Sequence, residues 1–156
     1  MLEGVSAPDA PTAVRHPSSV NGTEQTAVSE SLRQVYALRS LPLGWNGGDS
    51  LPPAAESVRY ARHWLEAQWQ QCQAEGVRWY APNVTADAEG SVVFEWWAED
   101  RTLSLYFVEN AEESGGGRTA EYLKFGRRDG SLAGLREQDT AETPEAATAL
   151  MRWFAG

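Results

Sequence analysis

Cysteine and histidine are nearly missing from this chain of 156 residues, which has only Cys72, His16 and His63. One thiol cannot close an internal disulfide or build a cysteine-based zinc site, a pattern suited to a reducing compartment. A nucleophile system of the Ser-His or Cys-His kind would have to rest on His63, which falls on the polar side of a predicted helix. No run approaches the roughly 18 apolar residues of a membrane span. Residues 1–20 lack both the basic start and the apolar stretch of an export signal, so a cytoplasmic location away from membranes is expected. The triple glycine Gly115-Gly116-Gly117 has no lysine after it, so no phosphate-cradling P-loop is present. The acids show neither calcium-loop spacing nor histidine partners, and no metal or other cofactor is expected.

Positive charge is also scarce. Thirteen Lys and Arg stand against 22 Asp and Glu, a formal net charge of -9. Between residues 86 and 113 eight acids (Asp87, Glu89, Glu95, Glu99, Asp100, Glu109, Glu112 and Glu113) face Arg101 alone, a local net of -7. Such a field repels phosphate backbones and argues against direct nucleic-acid binding, while it steers a basic protein partner inward. The same charge also serves solubility. With 42% apolar residues, the length fits one domain with one core.

Residues 1–25, with Pro8, Pro11, Pro17 and Asn21-Gly22, show no sustained period and read as a flexible leader before a single domain over 26–156. A helix is predicted from Thr26 to Arg39, with Val28, Leu32 and Val35 at helical spacing. A second runs from Ala54 to Glu75, opened by Pro52-Pro53 and closed at Gly76. Its core stripe is Val58, Ala61, Leu65, Trp69 and Cys72, where the cysteine acts as an inert hydrophobe. Tyr60 and Trp64 fall on a separate stripe one turn apart. Either the first helix covers them or they meet a partner, so both are candidate binding residues. A last helix is predicted from Thr143-Pro144-Glu145 to Phe154, with an N-cap, a proline at its first position and an acid in its first turn.

The strongest local signal is Ser91 to Val108, which reads as a β-hairpin turning at Glu99-Asp100. That turn sets Trp96 opposite Leu103, Phe94 opposite Leu105 and Val92 opposite Phe107, six apolar side chains on one face. A strand from Val77 to Val84 should precede it, with Pro82 at an edge. After a loop over Asn110 to Gly117, another strand is expected at Thr119 to Arg127 and a short final one at Ser131 to Leu135. The fold class is therefore α+β, an antiparallel meander of three to five strands with helices packed on one face.

Between the first two helices, Leu41 to Pro53 is dense in turn residues around Trp45 and reads as a cap that lowers Trp45 onto the core, with a binding loop as the alternative. Gly44-Trp45-Asn46-Gly47, a following helix and a Glu-Trp strand resemble a family of uncharacterised small bacterial proteins with a Gly-Trp-Asp-Gly turn before a helix and a β-meander. The likeness covers about residues 38–130. It departs at Asn46, where aspartate is usual, and at the glycines after it. The resemblance implies the α+β meander and carries no activity.

The open face of the meander should present Trp97, Tyr106, Glu95 and Tyr122, with Glu99 and Asp100 at the turn. Rings rimmed by acids suit protein recognition, since rigid rings bury much area at little entropic cost. The expected function is a small, non-catalytic cytoplasmic binding protein that occludes or regulates a more basic partner, of the antitoxin, immunity or phage-conflict inhibitor kind. Glu95 among aromatics also suits a general acid if Asp100 or Glu109 supplies a second carboxylate, and the same rings suit sugar stacking. A small enzyme or carbohydrate-binding module, and an acidic mimic of nucleic acid, are the alternatives.

Overall fold

The computed structural model describes residues 16–110, 117–126 and 136–156. Five strands form one antiparallel sheet in sequence order: β1 Asn83–Ala86, β2 Val92–Trp97, β3 Arg101–Asn110, β4 Gly117–Gly126 and β5 Arg136–Thr140. Helices α1 (His16–Ala37), α2 (Ala55–Glu75) and α3 (Pro144–Ala155) complete an α+β fold with a meander, as the alternation of short apolar runs and helical periods requires.

Every hairpin pair expected from the turn at Glu99-Asp100 is present: Trp96 with Leu103, Phe94 with Leu105 and Val92 with Phe107. Their shared face holds the core. Phe94 and Phe107 meet edge to face at 4.8 Å, and α2 lowers Trp64 onto both, at 6.1 and 5.5 Å. Tyr60 of α2 adds a further edge contact to Phe107 at 5.6 Å.

The apolar period of α2 extends over Ser57, Val58, Ala61, Trp64, Leu65, Gln68 and Cys72, all buried. Its end is set by Gly76, which takes a left-handed φ of 68° and returns its N–H to the last turn. Thr143 caps α3 by accepting the Ala146 N–H at 3.1 Å, with Pro144 behind it. Trp153 near the end of α3 is held between two cations of the sheet, Lys124 at 4.9 Å and Arg101 at 5.6 Å from its ring. Arg101 also donates to the Trp153 carbonyl at 2.6 Å, satisfying a helix-end acceptor, so α3 is docked on the sheet.

Three boundaries differ from the sequence reading. Helix α1 begins at His16, so residues 16–25, expected within the flexible leader, are helical; residues 1–15 lie outside the described residues. Pro17 sits in the first turn, where it costs no hydrogen bond, and a helix anchored by buried Val28 and Val35 extends backward cheaply even through Gly22. The strand expected from Val77 is confined to Asn83–Ala86, because Val77 to Pro82 crosses the end of α2 instead of pairing. The ends of the loop expected over Asn110 to Gly117 pair with each other as the last residue of β3 and the first of β4, 111–116 and the short strand expected at Ser131 to Leu135 lie outside the described residues, and β5 follows at Arg136.

The Trp45 loop folds on itself. Gly44, at φ 73°, donates to the Ser50 carbonyl at 2.7 Å, and the Trp45 indole donates to the Leu51 carbonyl at 2.9 Å. Asn46 accepts from the Gly48 N–H, a turn that an aspartate would make equally well. Trp45 is half-buried in its own loop and is not among the residues packed on the core, so the cap expected from the sequence is a closed loop instead. Bonds from Leu51 N–H to Ala88 and from Ala54 N–H to Gly90 tie that loop to the β1–β2 turn.

Candidate functional site

The pleat decides which side chains leave the core. With Phe94, Leu105 and Tyr122 in one cross-strand row facing the helices, the alternate rows face away. These open rows are Asn83, Glu95, Ser104, Leu123 and Gln138, then Thr85, Val93, Tyr106, Glu121 and Thr140, and a corner row in which Trp97, Thr102 and Phe125 stand abreast and Arg136 pairs with Phe125.

Trp97 is 60% exposed and Phe125 45%. Separated by one strand, their backbones lie about 10 Å apart and bracket Thr102. Each of the other six tryptophans is buried or half-buried. Trp64, Trp79 and Trp96 also place their indole N–H groups on Ala141, Gln68 and Tyr80 oxygens at 2.7, 3.0 and 2.9 Å. Behind the corner, Val93 is buried while Leu123 and Tyr106 are half-buried, so the apolar surface continues inward.

The rim is acidic. Glu95 is half-buried in the middle of the face, Glu121 stands exposed beside Tyr106, and Glu99 and Asp100 project from the adjoining turn. Asp100 contacts Arg101 at 3.3 Å within that turn. A hollow of about 270 Å³ opens next to Tyr106, bordered by Asp87, Glu89, Glu121, Leu123 and Gln138. Asp87 shapes its lip by accepting the N–H groups of Glu89 and Ser91 through one carboxylate oxygen.

The structure brings Trp97, Glu95, Tyr106, Glu99 and Asp100 onto one face and its adjoining turn, and it turns three other candidate binding residues, Tyr122 of the sheet and Tyr60 and Trp64 of the second helix, toward the interior. Trp64 is 5% exposed and belongs to the core, with its N–H spent on the Ala141 carbonyl. Tyr60 is half-buried against Phe107, and burial followed by the charge of Glu142 raises its hydroxyl pKa. The sheet, not the first helix, covers this pair. Tyr122 is 8% exposed on the helix-facing side and donates to Glu137 at 2.5 Å. Conversely, Phe125, Leu123 and Glu121 were missed. The β3–β4 register sets Leu123 across from Ser104, and the β2–β3 hairpin pattern does not by itself fix it.

Glu137 provides a stability test at the sheet's far edge. The Tyr122 hydroxyl holds its carboxyl below the ordinary value near 4.5, and Lys124, at 3.3 Å, acts in the same direction. A depressed folded-state pKa means the contribution is fully present above the unfolded value and is lost as pH falls through the folded one. Glu137→Gln is therefore expected to flatten the acid limb of the stability curve below about pH 4.5 and leave its slope above pH 6 unchanged, measured by urea unfolding at stepped pH.

Cys72 is fully buried, and burial pushes its thiol up to about 11. The native protein is expected to resist a thiol-specific reagent at pH 8 and to react stoichiometrically in urea; fast labelling of the native state would contradict this packing. Among the described residues no group of three His, Cys, Asp or Glu is arranged to hold a metal ion. No described helix is long and apolar enough to cross a membrane. A larger hollow of about 720 Å³ lies between α1 and residues 76–81, but its carboxylate, Glu24, already accepts from Gln73 at 2.8 Å. No protein-family model, no curated protein and no solved structure matches this chain.

Proposed function

We propose that the protein is a small non-catalytic binding module of the cytoplasm that occludes or regulates a more basic protein partner through the open face of its sheet. An antitoxin, an immunity protein or an inhibitor acting in phage conflict would use such a surface. The observation that carries the reading is Trp97, held out at the sheet corner beside Phe125 while the remaining tryptophans are drawn inward. Among the described residues its ring has no hydrogen-bond or ring partner. Burying such a ring against a partner is worth about 1.5–3 kcal/mol, and the acids around it favour an approaching basic surface.

A photo-crosslinking residue placed at position 97, and separately at position 63 on the far side of α2, tests this in lysate of the source organism. One stoichiometric protein adduct at 97, absent at 63 and reduced by raised salt, is the expected result. Retention on glycans without any protein adduct would instead support a carbohydrate-binding module. Competition by oligonucleotides for the adduct would identify the partner as a nucleic-acid-binding protein and support mimicry.

A further inference from the structure

Where α1 ends against the start of α2, the local charge opposes that of the chain as a whole. The 3-10 turn Leu38–Ser40 carries Arg39, and the first three turns of α2 carry Arg59, Arg62 and His63. These four, with Tyr36, Ala55 and Val58, surround a hollow of about 250 Å³. Three of the chain's 13 Lys and Arg and one of its two His thus share one small hollow in a molecule of net charge -9.

Local ion pairing does not account for all of them. Arg59 is paired with Glu56 at 2.9 Å and Arg62 with Glu66 at 3.3 Å, both along the helix surface. Arg39 has no carboxylate partner among the described residues; its guanidinium lies over the Tyr36 ring at 4.8 Å. Stacking leaves the guanidinium edge, which carries the N–H donors, open for an anion. His63 is exposed and adds a further donor. Ala54, at the N-cap of α2, supplies no side-chain acceptor, so first-turn N–H groups at Ala55 add positive potential at the edge of the hollow. Its volume falls below that of sites for drug-sized ligands, so a compact anion fits it best.

We propose that the hollow formed by Arg39, Arg59, Arg62 and His63 binds a small phosphoryl-bearing anion. Guanidinium groups drawn from two elements around one hollow match the several oxygens of a phosphoryl group better than the single charge of a halide. This site lies on the helical side of the molecule, away from the open sheet face, and does not depend on the binding function proposed for that face.

Titration of the full-length, isotope-labelled protein with inorganic phosphate tests it by NMR at constant ionic strength. Saturable shifts confined to the Tyr36–Arg39 and Ala55–His63 segments are expected, with no comparable response to sodium chloride. Arg39→Gln should weaken phosphate binding by about tenfold or more. Arg78→Gln, which removes a cation stacked on Tyr80 elsewhere, should leave it unchanged. Shifts that never saturate, that chloride reproduces or that survive Arg39→Gln would overturn the assignment. Intact backbone spectra of the variant exclude unfolding as the cause of any loss.

Discussion

Trp64→Ala is expected to cost about 3–5 kcal/mol of folding free energy, a large part of the roughly 5–15 kcal/mol that holds a domain together. Two separable losses add up to that figure. The indole is removed from its edge contacts with Phe94 and Phe107, leaving a cavity beside two rings that keep only each other, Trp96 and Tyr60 as edge partners. The Ala141 carbonyl, on a fully buried residue, also loses the N–H that satisfies it at 2.7 Å. Trp64→Phe isolates the second loss, because a ring remains while the donor disappears, and should cost about 1–3 kcal/mol. Urea unfolding reads both as shifts in midpoint at constant slope. A cost below about 1 kcal/mol for Trp64→Ala would mean that the residue is not core, and would restore it as a partner-facing side chain.

Trp64 also shows how far sequence pattern reaches. Its helix and boundaries were legible, since proline, apolar period and terminal glycine agree. The width of the buried arc was not, because two positions flanking Trp64 on that arc are Ser57 and Gln68. Both are polar and buried; Gln68 is admitted to the core because its amide oxygen accepts from Trp79 at 3.0 Å. A stripe defined by hydrophobicity alone stops short of them and leaves Trp64 outside.

Strand β4 misleads in the opposite direction. Its more apolar alternates, Leu123 and Phe125, lie on the open side, while Ala120, Tyr122 and Lys124 face the helices. Tyr122 and Lys124 tolerate this because they sit near the sheet edge, where their polar ends converge on Glu137 and the Lys124 stem lies beside Trp153. The hairpin of β2 and β3 was read correctly because its register is fixed by a short turn inside one stretch of chain. For β4 the register is set across residues 111–116, where composition gives no local constraint. The part of the site built on the hairpin was thus legible, and the part contributed by β4 was not.

Trp97→Ala is expected to separate recognition from stability, the reverse of Trp64→Ala. The side chain is 60% exposed on the non-core face, so its removal should change the unfolding free energy by no more than about 0.5 kcal/mol. Against the partner captured at position 97, the same substitution should cost about 2 kcal/mol or more, roughly thirtyfold in Kd, since a ring at the centre of a contact carries a disproportionate share of its energy. Glu121→Gln and Glu95→Gln should act differently: they remove field, not contact, and so slow association and flatten its dependence on salt while dissociation changes less. The two kinds of variant are independent tests of one surface. If Trp97→Ala leaves Kd intact and both glutamine variants leave the salt dependence intact, the docking surface lies elsewhere on the molecule. If only the charge variants respond, acids attract the partner to a contact that does not use the ring. Loss of affinity in Trp97→Ala with unchanged unfolding, together with reduced salt dependence in the charge variants, is the combination that a ring-centred, acid-rimmed sheet face requires.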